Sequence, residues 1–258
     1  MSAAQSGGAH ARPLVLLPSS KAKADGGTGP AYADCLDERP MARLRSDVLD
    51  ALTVAADAMD DVAIMRLCAV KSGDVGAARE QLAGLPKAPT MPAHRRYTGV
   101  VHRFANLDSI DPATAGVEVA TFGGLGGVVL GDELVPNYRL EVTGRAGQLG
   151  VLGTWWRQRL EDALTELVWR RRVWDLLPGE FAKLLPKADL EADELITVTF
   201  LRADGRAAPS ASAKVGKGHL VRALLTEPLA TPASVVAEQP LEDWRFSLTD
   251  TGLDAVLR

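Results

Sequence analysis

The sequence predicts a protein of the α/β class, and three observations lead there. Apolar runs of strand length recur at 13–17, 117–122 and 195–201, and segments with apolar residues at helical spacing lie between them. The loop that leaves the first run is rich in Gly, Ser and Lys, as loops at strand ends of α/β proteins are. A length of 258 residues allows one large domain or two small ones without disulfide or metal support.

In chain order, residues 1–12 (MSAAQSGGAHAR) are small and polar and lack the apolar core of a signal peptide, so a disordered lead-in to a cytoplasmic protein is expected. PLVLL, Pro13 to Leu17, reads as a buried strand. It opens into the loop Pro18 to Pro30, whose Ser19, Ser20, Lys21 and Lys23 are candidate anion ligands. Residues 41–59, 62–70 and 75–82 carry a helical stripe, while the prolines of 86–92 point to a linker over the surface. In RRYTGVVHRF (95–104), Tyr97, Val100, Val101 and Phe104 are expected to face the core, although interleaved basic and aromatic residues also suit nucleic acid. Val117 to Phe122 is a strand, and the five glycines of GGLGGVVLG (123–131) serve a sharp turn or close packing, since no dinucleotide fingerprint is in register. Arg139, between apolar neighbours, is expected to be a partly buried guanidinium with an anionic partner. The segment 153–172 is the longest helix candidate, its basic end matching a helix C-terminus. Strands follow at 173–176 and 195–201, the latter turning at Asp204-Gly205 toward a partner within 207–213. The remainder, 228–258, holds one more strand, Trp244 to Leu248.

The stretch Ala213 to Leu225 (AKVGKGHLVRALL) draws the most chemistry. It reads as a tight Gly216-Lys217-Gly218 turn before a short helix, with Lys214, Lys217, His219 and Arg222 around it. Glycines at a turn and unpaired amides at a helix start suit a phosphate, in a nucleic-acid backbone or on a nucleotide. A net charge of −4 and a pI near 5.6 are not the global signature of a nucleic-acid binder, so any attraction is local. The two cysteines, Cys35 and Cys68, form no CxxC pair, and the four histidines, His10, His94, His102 and His219, have no ligand spacing. No metal, cofactor or membrane partner is expected.

Four segments, VLLPSSKAKADGG (15–27), RYTGVVH (96–102), GLGGVVLGDELVPNYRLE (124–141) and AKVGKGHLVRAL (213–224), resemble the YaaA family of bacterial peroxide-stress proteins in order and separation. The resemblance implies a single mixed α/β (α+β) domain over 13–258, with a helix-hairpin-helix-like element. It also implies a cytoplasmic role in limiting oxidative damage through DNA binding and lowered free iron. Ser20, Lys23, Asp25, Gly26 and Gly27 match the family's first loop, Tyr138 and Arg139 its YRL motif, Asp175 a strand-closing position, and Lys214, Lys217 and Gly218 its basic turn. The chain departs from that pattern at Lys21, Leu177, Pro178 and Phe181, where relatives carry a carboxylate, polar groups and a phenol.

Two functions stand at this point. One is a stress protein that binds DNA or another phosphate-bearing ligand through a basic cleft. The other is a binding protein or enzyme for a nucleotide-like or nucleobase-like small molecule, with Asp175 as general base or polar anchor and Lys23 as the second candidate catalytic group. In both, Ser20, Lys21, Lys23, Tyr138, Arg139, Lys214, Lys217, Gly218, His219 and Arg222 are the candidate ligand-binding residues.

Overall fold

The computed structural model describes residues 12–36, 41–186 and 190–258. The lead-in expected at 1–12 lies outside them except for Arg12, whose guanidinium donates to the carbonyls of Pro112 and Ala115 at 2.8 and 3.0 Å. The strands are β1 (Leu14–Pro18), β2 (Thr90–Pro92), β3 (Glu118–Gly123), β4 (Gly127–Leu130), β5 (Leu134–Pro136), β6 (Arg172–Asp175), β7 (Glu194–Leu201), β8 (Trp244–Thr249) and β9 (Gly252–Leu257). The helices are α1 (Ala42–Ala58), α2 (Asp61–Cys68), α3 (Val75–Gly84), α4 (Ala93–Arg96), α5 (Val100–Ala105), α6 (Leu152–Arg157), α7 (Glu161–Val168), α8 (Gly179–Ala182), α9 (Ser210–Thr226) and α10 (Pro232–Glu238).

Seven strands form one sheet in the order β4-β3-β1-β6-β7-β9-β8. The five inner strands run parallel and the edge strands β4 and β8 antiparallel, while β2 and β5 pair separately. Strand β1 is apolar without alternation because both of its faces are covered. Leu14 and Leu16 pack under the helices of the first half, with Leu52, Leu82, Trp156 and Leu164, whereas Val15 and Leu17 pack on the opposite face with Trp174, Leu220 and Leu224. The chain leaves β1 for β3 on one side and later returns to β6 on the other. The carboxyl end of β1 is thus the point where the strand order reverses, the place at which open α/β sheets bind ligands.

The helices expected at 41–59, 62–70 and 75–82 are α1, α2 and α3, and the glycine-rich stretch after β3 is the tight turn into β4. Several other expectations are corrected. Residues 86–92 are not a surface linker: Thr90 is fully buried in β2, its hydroxyl donating to Pro30 at 2.8 Å, because prolines that forbid helix still permit a short edge strand. The single helix at 153–172 is two, α6 and α7, broken at 158–160 where the buried Leu160 caps α7. Its basic end is not a helix end. Arg170 is left-handed (φ 54°), Arg171 pairs with Glu118 at 2.7 Å, and Arg172 opens β6 and pairs with Glu194 at 2.7 Å. No hairpin partner follows β7: a lone bridge joins Leu201 to Ala207 before α9 begins, and both edges of β7 are taken by β6 and β9. The tail adds α10 and β9 to the expected β8.

The correction with most functional weight concerns Gly216-Lys217-Gly218. No turn exists there, since all three residues lie buried in the middle of the 17-residue helix α9. The glycines are small because α9 is pressed from two sides. A Cβ at Gly218 would stand 2.5 Å from the Phe104 Cβ and 2.8 Å from the Val101 carbonyl oxygen on α5, and one at Gly216 would stand 2.7 Å from the Phe200 ring. Gly218 is therefore a packing residue, and its amide is spent inside the helix.

Gly218→Val should destabilise the protein by about 1–3 kcal/mol through overpacking against α5. Urea unfolding checks this, with Lys214→Ala on the exposed side of the same helix expected to change stability by less than about 0.5 kcal/mol.

Candidate functional site at the strand ends

Parallel pairing brings the carboxyl ends of β3, β1 and β6 out side by side. The Ser19 amide donates to the Phe122 carbonyl at 2.7 Å, and the Leu176 amide to the Leu16 carbonyl at 3.2 Å. The loop after β1 then folds against the segment joining α4 to α5: the Ala24 amide donates to Arg96 at 2.9 Å and the Thr98 amide to Ala22 at 3.2 Å. Arg96, fully buried, locks that loop from beneath. Its guanidinium donates to the carbonyls of Val135 (3.0 Å), Gly26 (2.8 Å) and Pro89 (3.2 Å), and also to that of Ala24. A buried cation held by carbonyl dipoles is tolerable where an unpartnered one is not.

This frame turns Lys23 inward. Its ammonium donates to the Ser20 carbonyl at 2.7 Å and stands 3.9 Å from the centre of the Tyr138 ring and 5.4 Å from that of Tyr97. The tyrosine hydroxyls meet at 2.9 Å. Glycine at the end of β3 is required here, because a Cβ at Gly123 would lie 2.9 Å from both the Ser19 hydroxyl and the Tyr138 hydroxyl. Among the described residues no carboxylate is within ion-pair distance of Lys23. Burial lowers its pKa to about 7, with the charges of Arg96 and Arg139 pushing the same way and Glu141 opposing them. Burial holds the Tyr97 and Tyr138 phenols above the usual tyrosine value. Beside Tyr97, at 5.4 Å between ring centres, lies the buried His102, whose pKa burial and the Lys23 charge lower to about 3.

A second group occupies the end of β6. Lys217, reaching across from α9, donates to the Leu176 carbonyl at 2.6 Å, and burial lowers its pKa to about 8 against the pull of Asp175. Asp175 is buried, and its Oδ1 accepts the Leu177 amide at 3.0 Å. The first group can therefore meet an oxyanion through Lys23, which has no ion pair among the described residues, and can exchange a proton near neutral pH through the same ammonium, while Lys217 stands beside Asp175 at the end of β6.

Of the residues named from sequence, Ser20, Lys23 and Tyr138 form the first group, and Asp175 and Lys217 the second. Lys21 sits at the rim, exposed, paired with Glu141 at 2.6 Å. Arg139 is corrected: it is exposed, and it donates to the carbonyls of Cys68 and Ala69 at 3.2 and 3.1 Å instead of gripping an anionic side chain. Lys214, His219 and Arg222 are exposed along α9, with the His219 ring 5.1 Å from that of Phe104. Sequence reasoning missed Arg96 and His102 as buried groups. Their places beside Tyr97 and Val101, both expected to face the core, were the signal at hand. Among the described residues, no cluster of three His, Cys, Asp or Glu is placed to hold a metal, and no helix is long and apolar enough to cross a membrane.

A family model described as "Peroxide stress protein YaaA" matches residues 14–248. A UPF0246 protein of Streptomyces coelicolor is 31% identical over 242 residues, covering 91% of this chain and 91% of the relative. One from Corynebacterium efficiens is 30% identical over 232 residues, covering 87% and 90%. One from Corynebacterium glutamicum is 28% identical over 180 residues, covering 66% and 69%.

Lys23 carries fewer protons folded than unfolded between pH about 7 and 10.5, so its contribution to stability grows as pH rises through that window and is lost as pH falls toward 7. Lys23→Met should be more stable than wild type at pH 7, and the difference should shrink toward pH 10. Chemical unfolding of both proteins at pH 7 and 9.5 checks the sign.

Proposed function

The chain belongs to the YaaA family of peroxide stress proteins, and on that premise we propose that it acts by binding a small phosphate-bearing molecule at the ends of β1, β3 and β6. The observation that supports this reading is the Lys23 ammonium, fixed over the Tyr138 ring with no carboxylate paired to it among the described residues. A dianionic phosphate would supply the missing countercharge and restore the proton that burial disfavours. Ser19 and the tyrosine pair would offer hydroxyl contacts for its oxygens, the Ser20 hydroxyl being donated to the Ala22 carbonyl, and Lys217 a second cation. Asp175 would orient the ligand or accept a proton from it. A nucleotide or a related sugar phosphate fits this donor set, in a cytoplasmic protein.

The exposed Lys214, His219 and Arg222 favour a second reading, in which the outer side of α9 meets the phosphates of a DNA duplex. The acidic balance of the chain, the burial of Lys217 and the partial burial of Lys23 put it behind the first.

Sulfate, which does not titrate near neutrality, is the probe of choice. Calorimetric titration should give an affinity that is highest below pH 7 and falls about tenfold per pH unit above it, with Lys23→Met weakening binding about tenfold or more. Binding that ignores both pH and Lys23→Met would refute the small-ligand reading. Labelled duplex whose binding falls steeply with salt and is lost in Lys214→Ala/Arg222→Ala would favour DNA instead.

A further inference from the structure

On the α5 side of β3 lies a cavity of about 80 Å³, separate from the strand-end lysines. Its floor is the run Val117, Val119 and Thr121, which share one face of the strand by the two-residue period, and its walls include Leu107, Ile110 and Leu225. His102 of α5 also lines it. That imidazole is 3% exposed, and neither ring nitrogen has a hydrogen-bond partner among the described residues.

A buried polar side chain with both nitrogens unmatched is uncommon and unfavourable, and it calls for a partner. Here the histidine borders a space whose lining is mixed, with hydrocarbon from Leu107, Ile110, Val119 and Leu225 beside the Thr121 hydroxyl and charged side chains, so a partner there meets both polar and apolar surface. Of the charged groups that line it, Arg12 and Glu118 are engaged with each other, while the exposed Asp132 has no ion pair among the described residues. Glu118 accepts from both Arg12 and Arg171, at 3.2 and 2.7 Å, and the His94 Nδ1 is within 2.7 Å of the Gly131 carbonyl oxygen. An anionic ligand would thus find no spare cation in Arg12 or Arg171, and a neutral one with a polar end is matched by His102.

We propose that this cavity is a binding site for a small neutral molecule with one hydroxyl or carbonyl group on a short hydrocarbon body, hydrogen-bonded to His102. By volume it takes about three non-hydrogen atoms, given that a cavity of ~150 Å³ takes benzene. A neutral imidazole serves either kind of ligand, since one nitrogen donates and the other accepts. The depressed pKa of His102, about 3, agrees with a ring that stays neutral across the physiological range. Because the same ring also borders Tyr97, the cavity backs onto the wall of the strand-end site and is distinct from it.

The test uses the full chain with ethanol as probe. Titration followed by NMR of the His102 ring should give a saturable shift with Kd on the order of a millimolar, the scale set by the ceiling on binding per non-hydrogen atom. Val119→Phe, which fills the cavity, should abolish that shift. His102→Phe, read by competition against xenon, should retain the apolar atom and lose preference for the alcohol. A shift that does not saturate, or one that survives Val119→Phe, overturns the proposal. So does a probe-soaked crystal in which ordered water alone remains on His102. Should either variant fail to fold, the wild-type titration and soaked crystal decide the matter. Sulfate binding at Lys23 is read separately, so failure of one site leaves the other standing.

Discussion

The parallel pairing of β1 with β3 on one side and β6 on the other is the constraint from which the site follows. It fixes three chain ends at one edge of the sheet, in register through Leu16 with Ala120 and Asp175. Everything that gathers there comes from distant parts of the chain: Ser20 and Lys23 from the first loop, Tyr97 and Tyr138 from the middle, Asp175 from β6 and Lys217 from α9. Burial of β1 on both faces holds this arrangement rigid, because a one-residue slip would exchange the two hydrophobic surfaces beneath the helices.

Two cations, Arg96 fully buried and Lys23 partly so, play opposite parts in that setting. Arg96 is saturated by backbone carbonyls and so is structural, fastening the loop that carries Lys23. Lys23 has a single carbonyl and two aromatic faces, which is too little to hold its proton at the usual lysine pKa. The difference is one of valence. A planar guanidinium with five donors can be satisfied wholly inside the protein, whereas the point charge of an ammonium on a short loop cannot when no carboxylate is supplied. The buried carboxylate of Glu133 is taken at 2.5 Å by Arg45, which also donates to the Gly126 and Val128 carbonyls, a buried pair that clamps α1 to the β3–β4 hairpin.

Much of this was legible in the sequence and the rest was hidden for identifiable reasons. Apolar runs announce β1, β3 and β7, and helical spacing announces α1 to α3, because in each case burial leaves a local period. The α9 glycines deceive because their smallness answers to Phe104 and Phe200, residues far away in the chain, and local turn chemistry has no part in it. The break between α6 and α7 is likewise set by the burial of Leu160, with no Gly or Pro to mark it. Within the site, Ser20, Lys23, Tyr138, Asp175 and Lys217 were readable as polar residues at strand ends or in resembling segments. Arg96 and His102 were so only as neighbours of the core-facing Tyr97 and Val101, since nothing nearby in sequence says that an arginine will find carbonyls at 24, 26, 89 and 135, or that a histidine will find no partner among the described residues.

The account rests on an ammonium that gives up its proton near neutrality and regains it when an anion arrives. Following the Lys23 side-chain resonances by NMR from pH 5 to 11, with and without saturating sulfate, measures that directly. A midpoint near 7 in the free protein, moving upward when sulfate is bound, is the predicted result. A midpoint near the ordinary lysine value of 10.5 that sulfate leaves unchanged would contradict it.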